Sequence, residues 1–148
     1  MTTQISNQSN PNNYYKVFTD GGSRGNPGPS GAGGVIFNYN KEIISEISEY
    51  LGIQTNNYAE YQGIILTLKK CIELNLNESL IMVFMDSLLV VNQINGKWKV
   101  KHSNLVPLHI EVKDLLKSFP RITFTHVLRH YNQHADKLVN KAINELVY

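Results

Sequence analysis

The sequence predicts an α/β domain built on one mixed sheet. Three observations carry this reading: the first third contains three consecutive strand-like segments, the hydrophobic period becomes helical at Asn57, and strands alternate with helices from there on. A chain of 148 residues is long enough for one domain with a real core and short for two.

Taken in order, YYKVFTD (Tyr14–Asp20) has the β-branched and aromatic content of a strand and stops where glycines begin. Seven of the ten glycines fall between Gly21 and Gly34, which suggests a tight crossing between two antiparallel strands. AGGVIFN (Ala32–Asn38) is the second strand and EIISEISEYL (Glu42–Leu51) the third, with Asn40 and Lys41 in the turn. These three form an antiparallel meander. Tyr61, Ile64, Ile65, Leu68 and Ile72 then recur at helical spacing, with Asn56 or Asn57 as the expected cap. The adjoining stripe of Glu60, Gly63, Thr67 and Cys71 is small after its first member, so this helix should lie close against a sheet.

SLIMVFM (Ser79–Met85) is a continuous apolar strand of the kind buried on both faces. DSLLVVNQING (Asp86–Gly96) follows as a helix, with Asp86 near its N-cap and Gly96 past its end. An amphipathic helix over about 104–118, the strand RITFTHV (Arg121–Val127) and a helix from about Gln133 to Leu146 complete the order βββαβααβα. The first and fourth strands, joined through a helix, should be parallel, with their C-terminal ends on the rim where open α/β sheets bind ligands. Asp20 and Asp86 sit at that rim.

Composition narrows the class. With 42% hydrophobic and 18% charged residues the chain reads as soluble and globular, and no apolar run approaches the length of a membrane span. The opening MTTQISNQSNPNN is polar and lacks the apolar region of a secretory leader, so residues 1–13 are expected to be a disordered tail ahead of a domain over 14–148. The single cysteine, Cys71, excludes an internal disulfide and a thiolate-rich metal site, and together these features point to the cytoplasm. A net charge of +2 permits a polyanionic partner without demanding one. Locally the signal is stronger, in GKWKVKH (Gly96–His102), although such runs are commonly solvated loops.

Four carboxylates each have a local explanation. Asp20 before Gly21 is a turn aspartate, Glu60 three residues after Asn57 fits a capping box, Asp86 fits a cap, and Asp136 suits the positive end of the last helix. Their joint placement is harder to explain locally, because three of the four fall at strand ends or helix starts that the sheet brings to one rim. Like charges gathered there repel unless something positive sits between them. Hard divalent cations with oxygen ligands meet that need, and Mg²⁺ leaves positions open for phosphate oxygens. Two such ions about 4 Å apart activate a water and stabilise the leaving oxygen of an in-line phosphodiester displacement.

These residues resemble type 1 ribonuclease H. TDGGSRGNPGPSGAGGVI is similar to that family's first two strands, with Asp20 as the first metal-binding aspartate; TNNYAE (Thr55–Glu60) to the start of its first helix, with Glu60 the catalytic glutamate. MDSLLVVNQING supplies Asp86 as the third carboxylate, and RHYNQHADKLVNKA (Arg129–Ala142) supplies Asp136 as the fourth. The resemblance covers about Tyr14 to Leu146 in the family's order. It implies a ribonuclease H-like mixed five-stranded sheet in the order 3-2-1-4-5, with strand 2 antiparallel, flanked by helices. It also implies sequence-independent hydrolysis of the RNA strand of an RNA/DNA hybrid, leaving a 5′-phosphate, with two Mg²⁺ ions that Mn²⁺ can replace. Asn26, Thr55, Asn56 and Asn57 are the implied contacts to the hybrid, which fits recognition through the 2′-hydroxyl and groove shape. Lys97, Trp98, Lys99 and Arg129 are further candidates for nucleic-acid binding. A monomer without an obligate protein partner or a membrane is expected.

Three departures from the family pattern matter. The loop before Asp136 is short, RHYNQHAD, as in compact archaeal and plant-like members, so His130 is the candidate for the family's loop histidine, with Arg129 and His134 as alternatives. The basic handle after the Asp86 helix is absent or reduced to GKWKVKH, which predicts modest, salt-sensitive affinity. Leu88 stands where a polar glutamine is common. The short loop leaves double-stranded RNA open as a second substrate.

Other chemistries fail. There is no GxxxxGK[ST], and the glycines lead into a strand and not a helix, which excludes phosphate-loop and dinucleotide motifs. His130 and His134 have the spacing of a zinc pair, but HYNQH lacks the HExxH glutamate. The remaining alternative is a non-catalytic module of the same fold that grips hybrid or double-stranded RNA. Four retained acidic positions oppose it, since a pure binder gains nothing from negative charge beside a phosphate backbone.

Overall fold

The computed structural model describes residues 13–146, so the tail expected over 1–13 lies, apart from the buried Asn13, outside the described residues. The elements are β1 (Tyr14–Ser23), β2 (Gly28–Phe37), β3 (Ile43–Gln54), α1 (Asn56–Glu73), β4 (Leu80–Met85), α2 (Leu88–Ile94), α3 (Val106–Leu116), β5 (Ile122–His126) and α4 (Gln133–Leu146). A single 3₁₀ turn, Arg129–Tyr131, precedes α4. The sheet runs β3-β2-β1-β4-β5, as expected. β2 is antiparallel to β1 and β3, whereas β4 is parallel to both β1 and β5.

Strand alternation sends Val17 of β1, Ile36 of β2 and Ile81, Val83 and Met85 of β4 into a core with Tyr61, Ile64, Ile65 and Leu68 of α1. Residues from α2 and α3, including Val90, Val91 and Val112, extend that core. On the opposite face α4 packs chiefly on β1, β2 and β3. The expectation that β4 is buried on both faces therefore holds for one face only, and Leu80, Met82 and Phe84 are half-buried.

Two local readings change. The cap of α1 is Thr55, whose side chain accepts a hydrogen bond from the Tyr58 amide, and neither Asn56 nor Asn57 holds that position. Glu60 is thus two residues past the capping-box position. The cap of α2 is Ser87, bonded to the Val90 amide, which leaves Asp86 outside the helix. Gly96 takes a φ of +80° just past the end of α2, as a helix-terminating glycine does.

The glycines of the first two strands are only in part a turn device. Gly25 turns the chain, but the other six lie within β1 and β2. Their main effect is to let helices touch the sheet. A Cβ on Gly21 would sit 2.1 Å from the Ala59 carbonyl of α1, and one on Gly33 would sit 2.4 Å from the Ala135 carbonyl of α4. In α1 itself, a Cβ on Gly63 would lie 2.5 Å from the backbone oxygen of Asp20.

That contact fixes the sign of a mutation. In an unconstrained helix Gly→Ala stabilises by about 1 kcal/mol. Gly63→Ala should instead destabilise by about 1–3 kcal/mol, because backbone has to move to admit the methyl group. Urea unfolding of the variant against the wild type measures the difference.

Candidate metal-dependent active site

Four elements deliver the carboxylates. Asp20 lies on β1, Glu60 in the second turn of α1, Asp86 directly after β4, and Asp136 in the first turn of α4. One ligand oxygen from each of Asp20, Glu60 and Asp86 lies within 4.8 Å of the others. Asp136 joins them in lining a cleft of about 400 Å³, together with Asn56, Arg129 and Asn140. The close approach of α1 to β1 at Gly21 and Gly63 brings Glu60 beside Asp20. Asn140, one turn after Asp136, donates to the Asp136 backbone oxygen at 3.1 Å, and its Oδ1 accepts from Arg24 at 3.3 Å across the cleft wall.

Burial and mutual repulsion set the electrostatics. Burial, then repulsion from Asp86 and Asp136, pushes the Asp20 carboxyl up to about 8, against one lowering contact from the Gly21 amide at 2.9 Å. Glu60, only 9% exposed, is raised well above the usual carboxylate range by burial and by Asp20 and Asp86. Asp86 is also raised by its burial, but hydrogen bonding from Asn132 and the nearby charges of Arg129 and His126 pull it back. The Glu60 Oε1 is buried without a hydrogen-bond partner. An all-oxygen cluster with a bare buried acceptor and protons held by repulsion suits a hard divalent cation, which would displace those protons.

The other expected residues separate into groups. Asn56 lines the carboxylate cleft, and its Oδ1 accepts from the Ser23 amide. Asn26, Thr55 and Asn57 line a neighbouring polar pocket with His102 and Asn104. Asn26 also accepts the Asn56 amide through its side chain, tying the β1–β2 turn to the start of α1. Lys97, Trp98 and Lys99 are exposed in the segment after α2. Arg129 lines the carboxylate cleft; His130 is exposed and stacks on Tyr131, with ring centroids 4.1 Å apart. His134 is bound elsewhere, its Nε2 lying 2.5 Å from Glu46 on β3 and its ring meeting Phe37 edge-on.

Asn132 and His126 are not evident from the sequence. Asn132 is 1% exposed, donates Nδ2 to the Thr19 carbonyl at 2.9 Å and so ties the segment before α4 to the strand carrying Asp20. Its only sequence signal is an asparagine just before a helix, which reads as an ordinary cap. His126 pairs with Met85 across the sheet, and that register carries it to the Asp86 end of β4.

A family model described as reverse transcriptase-like matches residues 18–142, which holds all four carboxylates. A ribonuclease H of Ehrlichia chaffeensis is 34% identical over 88% of this chain and 95% of its own length. The chain belongs to the ribonuclease H family. A protein of Mycobacterium tuberculosis named as bifunctional is 42% identical over 86% of this chain, but the match takes in only 35% of that relative, so the chain spans about a third of its length. Among solved structures, LC11-RNase H1 in complex with an RNA/DNA hybrid superposes with a TM-score of 0.84 at 37% identity, covering 88% of this chain and 97% of that one. This ribonuclease H fold contains no helix, among the described residues, that is long and apolar enough to cross a membrane.

The raised carboxyls give a stability prediction. A carboxyl that binds its proton more tightly when folded contributes stability fully below its unfolded pKa and loses it as pH rises through the folded value. For Asp20 that window runs from about 4 to about 8. The metal-free protein should therefore become less stable across it. Asp20→Asn, which cannot ionise, should melt higher than the wild type at neutral pH, by about 3 °C for each kcal/mol of relieved repulsion, and its pH dependence should be flatter. Calorimetric scans in chelator across that range check both points.

Proposed function

We propose that the chain is an endoribonuclease that hydrolyses the RNA strand of RNA/DNA hybrids, leaving a 5′-phosphate, largely without regard to sequence. The observation that carries this is the juxtaposition of Asp20, Glu60 and Asp86 within 4.8 Å, with Asp136 in the same cleft. The LC11-RNase H1 complex supports the choice of hybrid as substrate, since it shares this fold at 37% identity.

Asp20, Glu60, Asp86 and Asp136 would hold two Mg²⁺ ions, with Mn²⁺ able to replace them. When bound, the ions supply the charge that activates a water and stabilises the departing oxygen of the in-line displacement. The protein holds the four carboxylates on elements of one rigid core, so little reorganisation accompanies the reaction. Arg129 places a cation at the cleft to meet a substrate phosphate. His130, on the neighbouring exposed turn, is the candidate for carrying a proton during product release. Asn26, Thr55, Asn56 and Asn57 would contact the hybrid along the start of α1, reading 2′-hydroxyls and groove width. Lys97, Trp98 and Lys99 would give a small basic platform in place of a handle. We assign the activity to a cytoplasmic monomer.

Hybrid, double-stranded RNA and single-stranded RNA incubated side by side with Mg²⁺ or Mn²⁺ test this reading. Hybrid should be cut and single-stranded RNA spared, and Asp86→Asn should reduce cleavage to background. Tight hybrid binding by the wild type with no metal-dependent products would mean a binding module instead. Replacing either Lys97 or Lys99 with alanine should lower the slope of log affinity against log salt by about 1, measured by fluorescence anisotropy in chelator.

A further inference from the structure

Along β1, Tyr14, Lys16, Phe18 and Asp20 alternate onto the same face of the sheet. Asp20 ends this row in the carboxylate cleft, while the first three line a separate groove of about 350 Å³ where α4 leaves the sheet uncovered. Phe18 is the fixed floor, stacked on Phe84 with centroids 5.1 Å apart and met edge-on by Phe37 at 6.0 Å. Tyr39 and Tyr131 stand at the rim, 43% and 63% exposed. Lys16 and Lys41 also line the groove, and neither forms an ion pair among the described residues. Among the described residues no carboxylate lines it, and His134 in its wall is held by Glu46. Asn132, almost wholly buried, contributes to its wall and leaves Oδ1 without a hydrogen-bond partner.

These features specify a ligand. Flat rings with an open edge accept a planar π-system, and two lysines without ion-pair partners among the described residues accept an anion. A nucleotide combines both, as a base attached to a phosphate. An apolar peptide would leave the lysines unanswered. The groove also adjoins the cleft, since Tyr131 and Asn132 come two and three residues after Arg129, which lines that cleft.

We propose that this groove binds one unpaired nucleotide, its base stacked on the Phe18 and Tyr39 side and its phosphate between Lys16 and Lys41. The nucleotide is either free or the unpaired end of a strand held in the neighbouring cleft; the second source rests on the hybrid-cleaving reading, and the first does not.

The test uses the full chain in chelator, so that nothing is cut. Binding is measured for blunt hybrid, for the same hybrid with a short single-stranded extension, for adenosine monophosphate and for ribose 5-phosphate. An occupied groove should hold the extended hybrid at least about fivefold tighter than the blunt one, or adenosine monophosphate at least about fivefold tighter than ribose 5-phosphate. Tyr39→Ala and the pair Lys16→Gln with Lys41→Asn, all at exposed positions, should abolish that preference and leave blunt-hybrid affinity unchanged. Asparagine suits position 41, where φ is +66°. A preference for the extension alone identifies a strand end, and one for the mononucleotide alone identifies a free ligand. A preference that survives the substitutions, or no preference in either comparison, overturns the proposal. Cleavage of blunt hybrid with metal restored is scored separately; its absence in the wild type would sink the hydrolase reading without touching the mononucleotide comparison.

Discussion

The rest of the structure depends on how closely two helices approach the sheet. With Cβ positions on Gly21 and Gly63 falling 2.1 Å and 2.5 Å from opposing backbone, α1 and β1 meet main chain to main chain, a distance no pair of larger residues permits. On the other face Gly33 admits the Ala135 carbonyl at the start of α4. The first contact carries Glu60 to Asp20, and the second carries the turn containing Asp136 to the same rim. A parallel β1–β4 pair completes the set, because parallel neighbours end on the same edge and Asp86 follows β4 directly. The site is therefore a consequence of backbone packing, and its side chains are held by elements that the core of the domain already fixes.

Packing this tight has an electrostatic cost. Four carboxylates in one cleft, two of them nearly buried, oppose ionisation, and protons or cations must offset them. The arrangement is graded. Asp20 and Glu60 lie deep and carry the largest upward shifts, whereas half-buried Asp86 is moderated by Asn132, Arg129 and His126. The cleft thus has an inner end that demands cations and an outer end where positive side chains already stand. On the proposed activity, a phosphodiester approaching from solvent would meet Arg129 at the outer end, with the cation-demanding oxygens behind it. This polarity suits a reaction in which negative charge builds on the phosphoryl oxygens and the leaving oxygen.

Much of this is legible in the sequence, and the exceptions have a common cause. The β1–β4 rim follows from chain connectivity, and Asp86 follows β4 where its apolar run stops; Asp20, expected to end its strand, lies inside β1, which continues to Ser23 beside β2 after its pairing with β4 has ended at Phe18. The small stripe of α1 also reads correctly, because Gly63 and Thr67 have no other evident use at helical spacing. What fails depends on the layer above. Gly21 and Gly33 look like turn residues until a helix lies over them, and β4 looks doubly buried until α4 packs chiefly on the other strands. Thr55, Asn56 and Asn57 are three adjacent capping residues, and sequence alone gives no means of choosing Thr55. Asn132 reads as a cap, yet it couples the strand carrying Asp20 to the wall of a second groove, which only the fold displays.

Charge bookkeeping links the cation site to the polyanion it would serve. Fourteen lysines and arginines face twelve acidic residues, a net charge of only +2. Four of those acids lie in the cleft, so once their charge is offset by two divalent cations the rest of the chain carries fourteen positive charges against eight negative. The formal charge of +2, which permits a polyanionic partner without demanding one, therefore describes a cleft holding neither cation nor proton. Filling the cleft would remove the local repulsion that a phosphate backbone meets and, counted from four ionised carboxylates, raise the net charge from +2 to +6; protons already held on Asp20 and Glu60 make the actual step smaller. On that reading cation and nucleic acid would bind with positive coupling, each raising the affinity for the other by the same factor, since linkage between two ligands of one protein is reciprocal. On the proposed activity, part of the attraction for a duplex would arise where the chemistry occurs, and it would strengthen as the cation site fills.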